Sequence, residues 1–234
     1  MKNNRSSSEL LCIIQARLGS SRLPSKVLLP LADLPAVVFA ALRVKCNGIN
    51  LIAAVPQDSD NQILRECLAK YNIPFFQGSE KKLFDRFSIG LKNFEKEKII
   101  VRISADNFIA DCNLIKKISA ELVERNLNYL SASGVGSGLP KWGTGIEVFR
   151  KYAFDEAEKN IKNESERLSV TQLMKKIYGN NVSSQFGNLD FANNRITIDT
   201  YEDFIYANKI LASFDDPVNV GWKDILDRTN LISR

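Results

Sequence analysis

The chain has 234 residues, of which 44% are hydrophobic and 25% are charged, and it contains no histidine. This length and apolar content are enough for one large α/β domain with a sizeable core. The absence of histidine excludes Ser-His-Asp and Cys-His catalysis, histidine-ligated zinc and an imidazole base. Any metal chemistry must therefore use carboxylate oxygens, which favour magnesium or manganese.

The positive charge is concentrated near the start of the chain. The formal net charge is +5, and the first 50 residues carry all of it, with seven Lys or Arg against two acids. A nucleic-acid-binding protein would more often spread a basic stripe with interleaved aromatic residues over a larger surface. We therefore expect a small anionic ligand and no nucleic-acid partner.

Several features predict the compartment. The sequence has no apolar run of membrane-spanning length, and residues 1–9 lack the apolar segment of a secretory signal, so we expect a short mobile tail there. The four cysteines (Cys12, Cys46, Cys67 and Cys112) have no paired spacing and are expected to be small reduced hydrophobic residues. These features predict a cytoplasmic protein with no membrane partner.

Hydrophobic patterning predicts alternating strands and helices. The predicted strands are 10–14, 50–55, 72–77, 99–103, 146–149 and 195–198. The predicted helices are 35–45, 164–178 and 202–211, with two more whose apolar stripes run over 63–71 and 83–94. Strand followed by helix, repeated, implies an α/β fold with a mainly parallel sheet and right-handed crossovers.

A basic loop follows the first predicted strand. It has the sequence QARLGSSRLPSK over residues 15–26, with cations at Arg17, Arg22 and Lys26 and a turn-permitting glycine at Gly19. Ligands of open α/β sheets bind outside the carboxyl ends of the strands, where Arg, Lys and exposed backbone N–H groups suit an oligophosphate. The alternative is a solvated basic turn.

Two acids occupy comparable positions after other strands. Asp106 follows strand 99–103, and Asp199 follows strand 195–198. If those strands are neighbours, the two carboxylates converge at the edge that carries the basic loop and could hold a divalent ion against a triphosphate. The alternative for either acid is a helix N-cap, and Asp199 is well placed to cap helix 202–211.

These residues carry a resemblance to a known family. The run of residues 13–28 resembles the motif of the cytidylyltransferases that activate acidic sugars, the CMP-KDO and CMP-sialic acid synthetase group. Further similar segments lie at 78–79, 83–87, 101–106, 145–149, 167–171 and 196–204. Within this group the chain is most similar to the spore coat polysaccharide biosynthesis protein F branch.

The resemblance implies a Rossmann-like fold of the GT-A type, with helices flanking a mainly parallel, mixed sheet. It also implies a nucleotide-binding half over residues 10–132, a smaller sugar-binding and dimerisation lobe over 133–194, and a return strand with C-terminal helices over 195–234. The implied partners are CTP, a small sugar and a second copy of the chain.

The resemblance also implies a reaction, in which a hydroxyl of an acidic sugar attacks the α-phosphate of CTP and pyrophosphate leaves. Such enzymes serve the biosynthesis of surface polysaccharides or glycoconjugates. The implied nucleotide site comprises Arg17, Arg22 and Lys26 against the triphosphate, Asp106 and Asp199 as ligands of Mg²⁺ or Mn²⁺, and Gly19, Ser20, Ser21 and Ser104 as further contacts.

Three residues are candidates for contact with the acceptor. Arg167 carries a guanidinium fork that suits a sugar carboxylate, Glu147 lies in the similar segment 145–149, and Trp142 could stack on a sugar face. The alternatives are a solvated helix arginine, a strand-edge glutamate and a tryptophan at a subunit interface.

Two other functions stay open at the level of the sequence. One is a GT-A glycosyltransferase that uses a finished nucleotide sugar, a class that usually binds its metal through an Asp-x-Asp pair at the end of a strand. The other is a non-catalytic nucleotide or sugar binder, which is suggested by Ala105, Phe108 and Gly145 where the family usually has glycine, proline and aspartate.

Overall fold

The fold was determined as a computed structural model that describes residues 10–142 and 144–232. The tail predicted over residues 1–9 lies outside the described residues. In chain order the strands are β1 (Leu10–Gln15), β2 (Pro30–Leu31), β3 (Leu34–Pro35), β4 (Ile49–Pro56), β5 (Phe75–Gly78), β6 (Ile99–Ser104), β7 (Tyr129–Ser131) and β8 (Glu147–Arg150). The helices are α1 (Ala36–Val44), α2 (Gln62–Lys70), α3 (Leu83–Leu91), α4 (Cys112–Glu124), α5 (Lys151–Lys159), α6 (Val170–Tyr178), α7 (Tyr201–Leu211) and α8 (Trp222–Thr229).

Six of these strands form one sheet in the order β5-β4-β1-β6-β8-β7. The strands β5, β4, β1 and β6 are parallel, and β8 runs antiparallel to both of its neighbours. The predicted α/β class and mainly parallel, mixed sheet are confirmed. The central pair has Gln15 opposite Ser104, so that β1 and β6 end at the same level of the sheet.

Both faces of the sheet are covered by helices. Residues Leu11 and Ile13 of β1 pack into a core with α3, α5 and α6, whereas Cys12 and Ile14 pack into the core that contains α1, α2, α4, α7 and α8. All four side chains are at most 2% exposed. A strand buried on both faces has a continuous apolar sequence, as the run at 10–14 does.

Two predicted elements differ from the structure. The predicted helix 164–178 is divided into a 3₁₀ turn at Glu164–Leu168 and the helix α6, because Ser169 is extended and caps α6 by accepting a hydrogen bond from the N–H of Gln172. The predicted strand 195–198 joins no sheet. It forms one isolated bridge, between Arg195 and Trp142, although Ile196 and Ile198 are buried in the core.

The prediction that all cysteines are reduced is wrong for two of them. Cys46 and Cys112 form a disulfide, with their Cα atoms 6.2 Å apart, while Cys12 and Cys67 are free. The two bonded residues are 66 positions apart and share no local motif. They meet because the end of α1 packs beside the start of α4, which is a tertiary contact.

We expect this disulfide to contribute measurably to stability. Replacing Cys46 with Ser should lower the free energy of unfolding by about 2–4 kcal/mol, because the bond closes a long loop in the unfolded chain. Urea unfolding under non-reducing conditions measures the change, and Cys67→Ser serves as the control. Thiol titration of the unreduced protein in denaturant should find two thiols, Cys12 and Cys67, and four thiols would contradict the bond itself.

Candidate active site

A polar cavity of about 360 Å³ lies at the carboxyl ends of β1 and β6. Its lining residues come from the basic loop, from the end of β6 and from the segment before α7. They are Gln15, Arg17, Gly19, Ser20, Ser21, Arg22, Lys26, Val27, Ser104, Asp106 and Asp199. All nine residues predicted for the nucleotide and its metal therefore line one cavity.

The basic loop folds back on itself by backbone hydrogen bonds. The carbonyl of Leu18 accepts the N–H groups of Ser20 at 2.7 Å and Ser25 at 3.0 Å. The N–H of Leu18 donates to Oδ1 of Asn61 at 2.9 Å, which attaches the loop to the start of α2. Ser25 then adopts a left-handed conformation with φ 57°, and a short 3₁₀ turn begins at Lys26. The loop thereby returns Lys26 to the end of the sheet.

The segment that carries Asp106 is held at both ends. The N–H of Ala105 donates to the carbonyl of Gln15 at 3.0 Å, which continues the pairing of β6 with β1. The buried side chain of Asn107 accepts the N–H groups of Ile109 and Ala110 and donates to the carbonyl of Thr144 at 2.6 Å. Because its neighbours are fixed in this way, Asp106 has a defined position without serving as a helix cap.

The helix caps are other residues. Helix α4 is capped by Asp111, and α7 is capped by Thr200 in a capping box with Asp203. Asp203 also accepts the backbone N–H of Asp199 at 2.9 Å. The N-cap alternative is therefore wrong for both Asp106 and Asp199, whose carboxylates face the cavity.

Lys26 joins the two carboxylates. Its Nζ atom donates to Oδ2 of Asp106, to Oδ1 of Asp199 at 2.9 Å and to the carbonyl of Ile198 at 2.8 Å. Arg22 adds an ion pair to Asp199 at 3.0 Å, and its side chain is largely exposed. The solvated-turn alternative is therefore wrong for Lys26, whose side chain is only 14% exposed.

The same contacts keep Asp199 ionised. Partial burial favours its protonated form, but the hydrogen bond and charge of Lys26, together with the charge of Arg22, hold the pKa of Asp199 below its ordinary value. A lowered carboxylate pKa gives stability that is present at neutral pH and is lost as the pH falls through that pKa. The carboxyl group of Asp199 is therefore ionised at neutral pH.

A buried arginine adds positive charge beside the loop. Arg86 on α3 is 1% exposed and donates to the carbonyls of Ser79 and Glu80, both at 2.8 Å. The pKa of Arg86 is lowered to about 10, first by burial and then by the neighbouring charge of Arg17. Gly78 permits this packing, since a Cβ atom there would lie 2.9 Å from the Cα of Arg86. The repulsion between these two cations favours a negative charge near Arg17, which lines the cavity.

The oxygens around Lys26 fit a hard divalent cation. Two carboxylates and one backbone carbonyl already surround its ammonium group, and Mg²⁺ and Mn²⁺ prefer such oxygen ligands. Within residues 10–142 and 144–232, no group of three or more acidic or cysteine side chains could hold a metal ion. Asp106 and Asp199 are therefore the residues that would hold such an ion.

The three candidate acceptor residues do not line this cavity. Trp142 is 53% exposed and lies beneath the ammonium of Lys141. Arg167 donates from Nη1 to Oδ1 of Asp85 on α3 at 2.6 Å. Glu147, at the start of β8, is 5% exposed and accepts a hydrogen bond from Arg102. Their roles toward an acceptor stay predictions.

Gln15 lines the cavity and Arg102 lies beside it, although neither was predicted from the sequence as a site residue. Oε1 of Gln15 accepts from both Nε and Nη2 of Arg102, at 2.9 and 2.6 Å, and Nη1 of Arg102 donates to Glu147 at 2.7 Å. A signal for Arg102 was present, because it is the one charged residue inside the apolar strand β6. A charge in a buried strand requires a partner.

The residues that depart from the family pattern do not obstruct the cavity. Ala105 and Phe108 are each 1% exposed and belong to the core beside α1 and α4. Gly145 adopts φ +35° at the start of the β8 segment. None of the three lines the cavity, so its charged groups are intact despite these substitutions.

The sequence matches the family model described as cytidylyltransferase over residues 11–175. The chain belongs to the cytidylyltransferase family. The resemblance that was drawn from the basic loop and the later motifs is thereby confirmed.

Two related sequences extend this result. An uncharacterized protein of Methanocaldococcus jannaschii is 34% identical over 228 residues, which cover 94% of this chain and 89% of that protein. The spore coat polysaccharide biosynthesis protein SpsF of Bacillus subtilis is 33% identical over 114 residues, which cover 46% of this chain and 47% of that protein. Similarity to the second relative is thus confined to about half of each chain.

Solved structures of other cytidylyltransferases share the fold. A cytidylyltransferase from Leptospira borgpetersenii superposes with a TM-score of 0.81 at 20% identity, covering 95% of this chain and 94% of that one. CMP:2-keto-3-deoxy-manno-octonic acid synthetase in complex with CTP gives a TM-score of 0.64 at 16% identity, covering 88% and 99%. A 4-diphosphocytidyl-2C-methyl-D-erythritol synthase from Anaerococcus prevotii gives 0.55 at 17% identity, covering 88% and 97%. The nucleotidyltransferase fold is therefore shared at low sequence identity.

We expect Lys26 to dominate the binding of a nucleoside triphosphate by this cytidylyltransferase. Lys26→Ala should weaken that binding by about 2–4 kcal/mol, the range for losing a charge-assisted donor at a reacting phosphate. Isothermal titration calorimetry measures the affinity, and Lys45→Ala, at an exposed position after α1, is the matched control. Equal affinity in Lys26→Ala and the wild type would remove Lys26 from the site.

Proposed function

We propose that this cytidylyltransferase transfers CMP from CTP to an acidic sugar, releases pyrophosphate, and serves the biosynthesis of a surface polysaccharide or glycoconjugate. The observation that carries the proposal is the convergence of Arg17, Arg22 and Lys26 with Asp106 and Asp199 in one cavity. Three cations suit a triphosphate, and two carboxylates suit its metal.

The reaction needs little covalent chemistry from the protein. A hydroxyl oxygen of the sugar forms a bond to the α-phosphorus, the bond from that phosphorus to the bridging oxygen of the β-phosphate breaks, and pyrophosphate leaves with that electron pair. The hydroxyl proton passes to solvent or to a carboxylate. Arg17, Arg22 and Lys26 neutralise the charge that develops on the phosphate oxygens, which is the main demand of phosphoryl-type transfer.

Asp106 and Asp199 hold Mg²⁺ or Mn²⁺ in this proposal. When bound, the ion supplies charge neutralisation and polarises the phosphoryl group. Lys26 now occupies the position between these two carboxylates, and phosphate oxygens offer it equivalent partners. With nucleotide and ion bound, the ammonium group of Lys26 would contact phosphate oxygens, and Asp106 and Asp199 would hold the ion.

The nature of the acceptor rests on the relatives. One structural neighbour is a synthetase for a CMP-linked sugar acid, and one related sequence is a spore coat polysaccharide biosynthesis protein. The Arg167 guanidinium would pair with the sugar carboxylate, and Asp85 would hold the guanidinium in place. We also keep the homodimer and the cytoplasmic location as parts of this proposal, although the disulfide of Cys46 with Cys112 removes reduced cysteines as an argument for that location. No described helix is long and apolar enough to cross a membrane.

Pyrophosphate release tests the function and its metal dependence. The assay contains Mg²⁺, a sugar acid such as 2-keto-3-deoxy-manno-octonic acid or N-acetylneuraminic acid, and one of the four common nucleoside triphosphates. We expect release of pyrophosphate when that triphosphate is CTP. EDTA should abolish release. Asp106→Asn and Asp199→Asn should each lower kcat by about a hundredfold or more, since a metal ligand is lost.

The control for these variants is Asp33→Asn, because Asp33 lies exposed in the turn between β2 and β3. Binding of CTP without release of pyrophosphate with any sugar acid would favour the non-catalytic binder. Transfer from a finished nucleotide sugar would favour the glycosyltransferase.

Substitutions of Arg167 test whether the acceptor is an acidic sugar. Arg167→Ala should raise the KM for the sugar acid by about tenfold or more while the KM for CTP changes little, because the lost contact involves only the sugar carboxylate. Arg167→Lys should restore this only in part, since a point charge loses the bidentate geometry. Arg125→Lys, at the end of α4, is the control. A neutral sugar as the better acceptor would contradict the assignment.

A further inference from the structure

A network of side chains beside the cavity fixes the orientation of one amide group. It comprises Gln15, Arg102, Glu147, Tyr129 and Thr171, which come from β1, β6, β8, β7 and α6. Glu147 accepts from Nη1 of Arg102, from the Tyr129 hydroxyl at 2.9 Å and from the Thr171 hydroxyl at 2.7 Å. Five elements of the fold thus converge on one buried carboxylate and its arginine partner.

The network has a defined direction of donation. A carboxylate accepts hydrogen bonds, and an arginine side chain only donates them. Burial, followed by the charge of Glu147, raises the pKa of Tyr129, so its hydroxyl keeps its proton and donates. Glu147 therefore anchors Arg102, and the remaining donors of Arg102 are directed toward Gln15.

This direction settles which end of the Gln15 amide faces Arg102. Its oxygen accepts from both Nε and Nη2 of Arg102, and an arginine offers no acceptor for the NH₂ group. The NH₂ group is therefore turned away from Arg102. Gln15 also lines the cavity, and its amide nitrogen has no protein partner in the part of the chain that the structure describes.

We propose that Gln15 is a binding residue for the nucleotide, and that its amide NH₂ group donates hydrogen bonds to an oxygen atom of bound CTP. The charged groups of the same cavity are suited to the triphosphate, and an uncharged donor adds directional contact without further repulsion among the cations. Arg102 is a positioning residue that acts through Gln15. The inference rests on the proposed use of CTP.

Two substitutions with different side effects test whether the NH₂ donor of Gln15 contributes to CTP binding. Gln15→Met keeps the size and neutrality of the side chain but leaves two donors of Arg102 unpaired. Gln15→Glu keeps those donors paired but adds negative charge. The loss of the NH₂ donor is common to both. We expect each variant to bind CTP with Mg²⁺ about tenfold to a hundredfold more weakly in isothermal titration calorimetry.

The matched controls are Gln77→Met and Gln77→Glu. Gln77 is exposed near the end of β5, in the same sheet, and it does not line the cavity. Titration with pyrophosphate as a second probe locates the contact. A loss for both CTP and pyrophosphate assigns the donor to the phosphates, and a loss for CTP alone assigns it to the nucleoside part. Both results support the proposal.

A double-substitution cycle tests the role of Arg102. Arg102→Lys keeps a charge beside Glu147 but loses the two parallel hydrogen bonds to Gln15. As a single substitution it should weaken CTP binding about threefold to tenfold. In the Gln15→Met background the same change should have no further effect. A purely structural role would give equal losses in both backgrounds and would overturn the positioning assignment.

The outcomes separate this inference from the proposed function. Unchanged CTP affinity in folded Gln15→Met and Gln15→Glu, checked by circular dichroism, would overturn the role of Gln15 while the proposed function stands. If one variant does not fold, the other variant and Arg102→Lys still decide. Absence of CTP binding by the wild type would overturn the proposed function and this inference with it.

Discussion

The contact on which the site depends is the one between the ammonium group of Lys26 and the carboxylates of Asp106 and Asp199. It joins three segments that are 80 and 173 positions apart in sequence. The two carboxylates repel each other and the partly buried ammonium group needs a counter-charge, so the lysine and the two aspartates stabilise one another at this place. This ion-pair cluster lines the same cavity as Arg17 and Arg22.

Buried polar side chains hold the loops that carry these charges. Asn107 fixes the segment after β6, Arg86 fixes the loop before α3, and Arg43 donates to the carbonyls of Pro217, Val218, Val220 and Ile109. Backbone carbonyls that are buried in loops require such donors. A rigid surrounding is what a transferase of this kind needs, because its catalysis consists of positioning and charge neutralisation.

Much of the site could be predicted from local sequence. The apolar run at 10–14 and the strand 99–103 are parallel neighbours, and such neighbours deliver their following residues to one edge of the sheet. The charged residues of the basic loop after β1, and Asp106 after β6, therefore line the cavity at the edge where they were predicted to lie. Asp199 reached the same place for a different reason, since its segment belongs to no sheet and is positioned by the core burial of Ile196 and Ile198 and by the cap of α7.

The sequence by itself determined the α/β class, the order of the main strands and helices from β1 to β6 and the charged groups of the cavity, because hydrophobic periodicity and strand-end position are local properties. Only the tertiary structure decided the disulfide of Cys46 with Cys112 and the orientation of Gln15. Each of these depends on which side chain lies next to which across the fold. A hydrogen bond between residues 87 positions apart, as between Arg102 and Gln15, leaves no periodic trace in the sequence.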